Sequence, residues 1–383
     1  MAELKKTTHL RFLHCSDIHL DTPVTGLSVE KSDERRRELR ETFHKMMNYV
    51  REHDVNAVLI SGDLFDIRYA TNQTAELLIR EFENTPETVF VISPGASDPY
   101  LSNPIYSSGR LPSNVHVFSK GSLERFDFEN WDVTVYGWAF QNSEMIENPL
   151  FEKKVDDSSR VNIVCGYADL DGAIDSTCAP ISERDLAHFG ADYYALGSRH
   201  EASDFKKVGN SIYSYCGAPE CTGFEENGLG GVNLLVIDYQ DGELSVNGKP
   251  FAFGHKKFVT EVIDITGVNT SGEIVARISR LICEKKYGTE TALRVELVGD
   301  VDPYFTIGKN LESDAFGLYY FDLVDKTMPL YGTEHFLRDM TAEGEVFRQM
   351  LPMLRSEDEE ERLVHARALR VALLALGGKE ITL

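Results

Sequence analysis

Short polar segments that contain aspartate and histidine follow several apolar runs in the first half of the chain. Asp17 and His19 follow one run as Asp-x-His, and Asp63 opens a Gly-Asp-x-x-Asp segment after another. His200 closes a Gly-Ser-Arg-His segment further along. Carboxylate and imidazole are ligands that a divalent cation takes from proteins. One such pair occurs by chance on many loops, but three segments in this order predict a metal site.

The apolar runs that precede these segments alternate with amphipathic helices. We predict strands at residues 10–15, 57–61, 88–93, 161–165 and 193–196, and helices at 32–54 and 73–84. This alternation is typical of an α/β sheet, in which ligand-binding groups lie on loops at one end of the strands. The fold class is therefore α/β, and the candidate ligands are expected to meet at one edge of the sheet.

The organisation changes near residue 250. A strand, a helix and a strand are predicted at 258–265, 271–286 and 292–298, and the chain after residue 332 has a helical pattern. Ser356-Glu357-Asp358-Glu359 is a capping-box pattern for the last helix, whose apolar stripe runs from Leu363 to Leu376. We therefore expect a main domain over residues 1–250, a small αβ domain over 251–332 and a helical segment over 333–383.

The overall charge limits the choice of partners. The chain has 39 basic and 62 acidic residues and a net charge of −23. Affinity for nucleic acid depends largely on Lys and Arg, so binding to DNA is disfavoured unless a basic patch or a metal ion compensates. Six cysteines without CxxC spacing, the lack of a signal-peptide pattern and the lack of a long apolar run predict a cytoplasmic protein without a membrane span.

The motifs resemble those of the calcineurin-like metallophosphoesterases, and specifically the SbcD-like DNA repair exonucleases, including the YhaO type. The resemblance covers most of residues 9–245 and is firmest over 11–23, 35–40 and 59–66, with 192–197 and 215–219 also similar. It implies a four-layer α/β/β/α sandwich with two mixed sheets inside, a two-metal hydrolase site, and C-terminal helices that dock onto an SbcC-like ATPase. A homodimer, which is the family's assembly, is a further expectation.

The resemblance divides the family's ligand positions into two groups. It places Asp17, His19, Asp63 and His200 at the ligands of the first metal ion. The positions of three second-metal ligands hold Ala96, Cys165 and Ser198, and Ser97 stands where the family has its general-acid histidine. We therefore expect one divalent ion, with manganese first and zinc or iron as alternatives. The other interpretation is a hydrogen-bonded polar cluster without metal.

Two residues could compensate for the substituted ligands. Cys165 is either a soft zinc ligand or a small buried side chain at a strand end. Arg199 either supplies positive charge beside the second-metal position or points to solvent or to Asp204. The run Arg35-Arg36-Arg37 is interpreted as the solvated face of a helix, with phosphate contact as the alternative.

Three functions remain open. The first is a DNA repair exonuclease of the SbcD lineage with weak or no activity, because loss of a general acid costs about 10²–10⁴ in rate and loss of the second ion removes further stabilisation of the phosphoryl oxygens. The second is a non-catalytic subunit that assembles with an SbcC-like ATPase. The third is a single-metal phosphodiester- or nucleotide-binding protein.

Overall fold

A computed structural model divides the chain into two compact units, Met1–Lys257 and Phe258–Leu383. The structure describes residues 8–24, 29–101, 103–173, 175–226, 228–240, 243–302, 305, 313–329 and 337–378. The division into three domains that we expect from the sequence stays a prediction, and its boundary at residues 332 and 333 lies outside the described residues.

The first unit contains two mixed sheets and four helices among its described residues. One sheet has the order β12-β11-β1-β2-β3-β4, in which β1 to β4 are parallel and β11 is antiparallel to β1. The other has the order β5-β6-β7-β8-β10-β9 and is parallel from β6 to β10. The strands are β1 Thr8–Cys15, β2 Ala57–Ile60, β3 Val89–Ile92, β4 Val115–Val117, β5 Glu124–Phe128, β6 Val133–Gly137, β7 Val161–Tyr167, β8 Tyr193–Gly197, β9 Lys206–Val208, β10 Ser211–Tyr215, β11 Gly228–Gln240 and β12 Glu243–Asp264, and the helices are α1 Val29–Glu52, α2 Asn72–Glu83, α3 Pro104–Ser107 and α4 Glu183–Phe189.

The two sheets pack face to face. Alternate residues of β1, β2 and β3 point toward alternate residues of β6, β7 and β8 and form one buried cluster, because successive side chains of a strand point to opposite faces. The other face of the first sheet packs on α1 and α2, and the other face of the second packs on α4. The expected four-layer α/β/β/α arrangement is thereby confirmed. The apolar face predicted for α1 is buried at Leu39, Phe43, Met46, Met47 and Val50.

Arg35 departs from the solvated face that we expect for its basic run. Its side chain is fully buried and forms ion pairs with Glu38 and with Glu220, the latter at 2.8 Å, while donating to the carbonyl of Cys221. Glu220 also accepts hydrogen bonds from Thr42 and from the backbone of His255. Burial would raise the pKa of Glu220, but Arg35 and these donors hold it below its ordinary value. The prediction of a solvated face was wrong for Arg35 because the buried carboxylate of Glu220 forms an ion pair with it.

Replacing Arg35 by methionine is expected to lower the free energy of unfolding by about 3–5 kcal/mol, because it leaves the Glu220 carboxylate buried without its cation. Arg37→Met is the matched control, since Arg37 lies on the same helix and is exposed, and surface substitutions change stability by about 0.5 kcal/mol or less. Urea unfolding of both variants measures the difference. Equal midpoints for the two would show that the buried ion pair adds nothing.

The second unit combines a small sheet with helices. Strand order is β15-β13-β12, where β12 contributes its last residues, and a second pair joins β14 and β16. Its further elements are α5 Ser271–Lys285, β13 Thr291–Val298, β14 Asp300–Val301, α6 Ser313–Phe316, β15 Tyr320–Asp325, β16 Met328–Pro329, α7 Ala342–Met350, a 3₁₀ helix Met353–Arg355 and α8 Glu359–Leu376.

Helix α8 begins two residues later than the predicted cap at Ser356 would place it. Its N-cap is Asp358, whose side chain accepts from the backbone of Glu360 and Glu361. The predicted stripe is buried in its middle, where Leu369 and Leu373 pack on Phe347 of α7. Among the described residues, neither α8 nor another helix is both long and apolar enough to cross a membrane.

Candidate metal centre

The loops after β1 and β2 carry three of the predicted ligands side by side. The backbone N–H of Asp17 donates to the carbonyl of Gly62 at 3.0 Å, and the N–H of His19 donates to the carbonyl of Asp63 at 2.9 Å. The two strands are parallel and adjacent, so their carboxyl ends meet at one edge of the sheet. Asp17, His19 and Asp63 therefore share that edge, as the sequence predicts.

The backbone of this edge is held in an unusual conformation. Asp17, His19 and Asp63 have φ angles of 52°, 48° and 52°, and Ser198 has a φ of 105°. Residues other than glycine rarely adopt positive φ, and a φ near that of Ser198 is strained. Such conformations cluster at functional sites, where the surrounding structure holds side chains in a required direction. The strain supports a functional role for this edge.

His200 reaches the site from the other sheet, through the turn that follows β8. Gly197 ends β8, and a Cβ atom at this position would lie 1.8 Å from the carbonyl oxygen of Ser61. Only glycine lets the end of β8 come this close to the end of β2. The glycine of the Gly-Ser-Arg-His segment thereby allows His200 to face Asp17 across the two sheets.

Asp17, His19 and His200 form a candidate metal-binding group. Their ligand atoms lie within 4.8 Å of one another. The two histidine Nε2 atoms are 3.2 Å apart, and His200 Nε2 lies 3.7 Å from Asp17 Oδ1. Asp17 Oδ1 is buried and has no hydrogen-bond partner among the described residues, whereas Oδ2 accepts from Ser16. An orphaned carboxylate oxygen beside two imidazole nitrogens fits a cation, so the donor set suits a metal ion.

A carboxylate outside the predicted set orients His200. Glu226 Oε1 lies 2.6 Å from His200 Nδ1, and Glu226 is held in turn by the backbone N–H and hydroxyl of Thr222. A carboxylate accepts, so Nδ1 carries the proton and Nε2 faces the site. Burial would lower the pKa of His200, but Glu226 and Asp17 raise it to about 9. Metal-binding histidines commonly have such a carboxylate on their second nitrogen.

Glu226→Gln is expected to weaken the affinity for a divalent ion by about 10- to 100-fold, because it removes the carboxylate that orients and polarises His200. Calorimetric titration with Mn²⁺ measures the dissociation constant. Glu225→Gln is the matched control, since Glu225 is the exposed neighbour in sequence. Equal affinities for the two variants would mean that Glu226 has only a structural role.

Asp63 lies beside this group but its oxygens are occupied. Its Oδ2 is 3.6 Å from His19 Nε2. Its Oδ1 accepts from the backbone N–H of Ser97 at 2.8 Å, and its Oδ2 accepts from the Ser97 hydroxyl at 3.1 Å and from the Tyr167 hydroxyl at 2.8 Å. Burial and the charge of Asp63 raise the pKa of Tyr167, so its hydroxyl keeps its proton and donates. The role of Asp63 as a fourth ligand stays a prediction.

The three positions assigned to the second metal ion have different surroundings. Cys165 is buried between the sheets, where its sulfur lies 3.5 Å from the Ser61 hydroxyl, and burial raises the pKa of its thiol to about 12. Ser198 donates its hydroxyl to the carbonyl of Ala168. Ala96 packs against the outer cluster of the second sheet. A buried neutral thiol suits core packing, and the ligand role of Cys165 stays a prediction.

Arg199 makes its contacts along the second sheet. Its guanidinium donates to the carbonyl of Leu170 at 2.6 Å, lies 3.2 Å from Asp169 and stacks over the ring of Tyr215 at 4.7 Å. The expected alternative partner, Asp204, is replaced by Asp169. These contacts give the guanidinium a structural position, and compensation for a missing metal ion stays a prediction.

Tyr167 and Glu226 are the two residues of the site that the sequence did not indicate. Tyr167 stands just after the strand predicted at residues 161–165, and the sequence assigns no role to it. Glu226 lies 26 residues after His200 in a loop without periodicity. A search for tyrosines at strand ends could have found the first, but no pattern in the sequence marks the second.

Comparison with known proteins gives the family. A model of the calcineurin-like phosphoesterases matches residues 10–201. The uncharacterized metallophosphoesterase YhaO of Bacillus subtilis is 28% identical over 246 residues, which are 61% of this chain and 59% of YhaO. The DNA double-strand break repair protein Mre11 of Methanopyrus kandleri is 27% identical over 232 residues, 57% of this chain and 50% of that protein. Mre11 of Sulfurisphaera tokodaii is 24% identical over 241 residues, which are 60% of this chain and 59% of that protein.

The chain therefore spans about half to three fifths of the length of these relatives. The family match covers half of the chain, and it contains the strands and loops that bring Asp17, His19, Asp63 and His200 together. On this match, and on the two-sheet fold that carries the site, the chain belongs to the calcineurin-like phosphoesterase family.

Proposed function

We propose that this chain binds phosphodiesters through one divalent metal ion held by Asp17, His19 and His200, and that it hydrolyses them slowly. The observation that carries the proposal is the buried Oδ1 of Asp17, which lacks a hydrogen-bond partner among the described residues and lies 3.7 Å from His200 Nε2. A buried carboxylate oxygen without a partner is costly. A cation bound between Asp17 and the two histidines would remove that cost.

The donor set leaves room for a ligand. Two imidazoles and one carboxylate resemble the sets of zinc and non-haem iron sites that keep open positions, and manganese accepts the same donors. Manganese is the ion that we expect first, with zinc and iron as comparisons. A bound ion of this kind offers a position for a phosphate oxygen and acidifies a bound water. Glu226 fixes the His200 ring so that Nε2 faces this position.

Slow hydrolysis follows from the residues around Asp63. Ser97 stands at the position of the family's general acid. Its hydroxyl donates to Asp63 and cannot replace a histidine as a proton donor near neutral pH. Loss of a general acid costs about 10²–10⁴ in rate, and loss of one electrostatic stabiliser about 10². Together these losses place the expected rate about 10⁴-fold or more below that of a two-metal enzyme.

The overall charge narrows the class of phosphodiester. Two relatives are named DNA double-strand break repair proteins, which makes DNA a candidate ligand. The net charge of −23 opposes the many phosphate contacts that duplex binding requires. A short phosphodiester or a strand end, which presents few phosphates, therefore suits this chain better than a long duplex.

Calorimetric titration of the full chain with the dinucleotide dTpT, with and without Mn²⁺, tests the proposal. We expect binding that requires Mn²⁺ and is lost in His200→Gln, whereas His188→Gln, at an exposed histidine, keeps it. We also expect slow hydrolysis of bis(p-nitrophenyl) phosphate above the rate of Asp63→Asn. Binding of dTpT that is equal with and without Mn²⁺ would overturn the proposal, and hydrolysis at the Asp63→Asn rate would remove its catalytic half.

A second candidate role is docking to an SbcC-like ATPase through α8. Val364 and Leu376 of this helix are 57% and 46% exposed, although its middle packs on its own unit. Exposed apolar side chains on a helix suit contact with a helical partner. Co-expression with an SbcC-like ATPase tests this role, and loss of the complex in Val364→Glu is the expected result. The homodimer and the cytoplasmic location stay predictions.

A further inference from the structure

The Asp63 carboxylate is satisfied by the protein itself. Three hydrogen bonds reach it, two from Ser97 and one from the Tyr167 hydroxyl at 2.8 Å. In the two-metal arrangement that the family resemblance implies, this carboxylate would bridge the two ions. Here Oδ2 already accepts two hydroxyl protons. A second cation would have to displace both hydroxyl groups from this oxygen.

The ring of Tyr167 also fills the space beside Asp63. Tyr167 is buried, and its ring lies between the loops after β2 and β3. A Cβ atom added at Gly62 would lie 2.2 Å from the Tyr167 ring, and one added at Gly95 would lie 2.9 Å from it. Phe140 closes a third side in an edge-to-face contact with ring centroids 5.3 Å apart. Two glycines and one aromatic ring thus form a fitted seat for this side chain.

Tyr167, and not Cys165, is the residue at the end of β7 that faces the site. Cys165 belongs to the cluster between the two sheets. Tyr167 packs with the outer cluster of the second sheet and extends its hydroxyl to Asp63. Of the two residues, Tyr167 is therefore the one whose side chain stands where a second-metal ligand from this strand would have to stand.

We propose that Tyr167 takes the place of the second metal ion, with its ring filling the space and its hydroxyl donating to the Asp63 oxygen that the ion would bind. This inference rests on the proposed one-metal function and explains why the centre is limited to one ion. It makes Tyr167 a positioning residue for Asp63. It also means that Ala96 and Ser198, which stand in place of two of the family's ligands, do not by themselves account for a single bound ion.

The effect of the missing ligands can be separated from the effect of Tyr167. The family's ligands are restored at Ala96 and Ser198, once with Tyr167 present and once with it replaced. We measure bound manganese per chain in the full-length protein, by elemental analysis after equilibration with excess Mn²⁺ and by Mn²⁺ titration. The wild type and Ala96→Asn/Ser198→His are expected to bind one ion each, because Tyr167 remains. Adding Tyr167→His to the double variant is expected to raise the value from one to two. Adding Tyr167→Phe is the matched control, which keeps the ring and is expected to stay at one.

Circular dichroism and thermal melting establish which variants fold. Should the variant with Tyr167→His fail to fold, Tyr167→Ala in the same double background replaces it, and the emptied seat is expected to admit a second, weaker ion. Two ions in Ala96→Asn/Ser198→His, or one ion in both the histidine and the alanine variants when folded, would overturn the inference while the one-metal function stands. A wild type without bound manganese, zinc or iron would overturn the one-metal function itself.

Discussion

Asp17→Asn is expected to lower the affinity for the divalent ion by about 10²–10³-fold, because four-ligand metal sites are worth about 10–16 kcal/mol, or about 2.5–4 kcal/mol for each ligand. Asp17 supplies the only carboxylate of the candidate group. Its Oδ1 lacks a hydrogen-bond partner among the described residues. An amide at this position keeps the shape but removes the charge that the cation requires.

The same substitution should have the opposite effect on the metal-free protein. Burial raises the pKa of Asp17, which shows that the folded state resists its charge, although His200 favours it. Asp17→Asn removes that buried charge, so the metal-free variant is expected to be as stable as the wild type or more stable. A buried charge that lowers stability suits a functional role, and the role that we propose for Asp17 is cation binding.

Thermal unfolding with increasing Mn²⁺ measures both effects at once, since a ligand that binds only the folded state stabilises it in proportion to the logarithm of its concentration. Wild type should gain stability with Mn²⁺ and Asp17→Asn should not. Asp54→Asn is the matched control, because Asp54 is an exposed aspartate that also has a positive φ, of 51°. An Asp17→Asn variant that gains as much stability as the wild type would contradict a metal site at Asp17.

The sequence predicts the geometry of the candidate metal centre where its residues stand at the ends of strands. Asp17, His19 and Asp63 lie at one edge because the parallel strands β1 and β2 bring their carboxyl ends together, as the spacing predicts. His200 reaches them from the second sheet, through the turn after Gly197. The prediction is less complete for Asp63. Whether its oxygens face a cation or a hydroxyl depends on neighbours that only the folded structure brings close.

Residues that act from a distance in sequence were beyond prediction. Glu226 reaches His200 from a loop, and Glu220 reaches Arg35 from 185 positions along the chain. Neither pairing has a periodic signal, because periodicity reports which face of one element is buried and not what packs against it. A basic run on a helix is interpreted as solvated for that reason, and Arg35 shows how a distant carboxylate overturns the interpretation.

Side-chain alternation along β7 predicts only part of the geometry of this strand. Cys165 and Tyr167 lie two apart on β7, and alternation predicts that they share a face, yet the structure places them in different clusters. The alternation holds up to Cys165 and is lost at the end of the strand, where the Tyr167 hydroxyl reaches Asp63. Patterns of period two describe the middle of a strand, and functional side chains stand at the ends where that pattern stops.

The buried imidazole of His14 is expected to make the protein lose stability as the pH falls from 6.5 toward 3. His14 is fully buried, and its Nε2 lies 3.2 Å from the carbonyl oxygen of Leu196. A carbonyl only accepts, so Nε2 carries the proton and Nδ1 accepts from the Tyr193 hydroxyl at 2.9 Å. Tyr193 is hydrogen-bonded in turn to Ser214. The neutral ring completes this buried chain, and a second proton on His14 would disrupt it.

Burial lowers the pKa of His14 from 6.5 to about 3, although the Leu196 carbonyl raises it. Below pH 6.5, His14 therefore binds a proton in the unfolded chain but stays neutral in the folded protein. The free energy of unfolding falls as a result until the pH reaches about 3. At about 1.4 kcal/mol per pKa unit, His14 contributes a loss of about 4–5 kcal/mol over this range. Above pH 6.5 its contribution is constant, because both states are then neutral.

Urea unfolding between pH 7 and 4 tests this origin of the acid sensitivity. His14→Gln keeps an amide that can donate to Leu196 but does not titrate, so its unfolding free energy should fall less steeply with acid than that of the wild type. His188→Gln removes an exposed histidine and should keep the wild-type slope. Carboxylates contribute to the slope of all three proteins alike, and the comparison cancels them. Identical slopes for His14→Gln and wild type would show that the imidazole is not the group whose protonation the folded state resists.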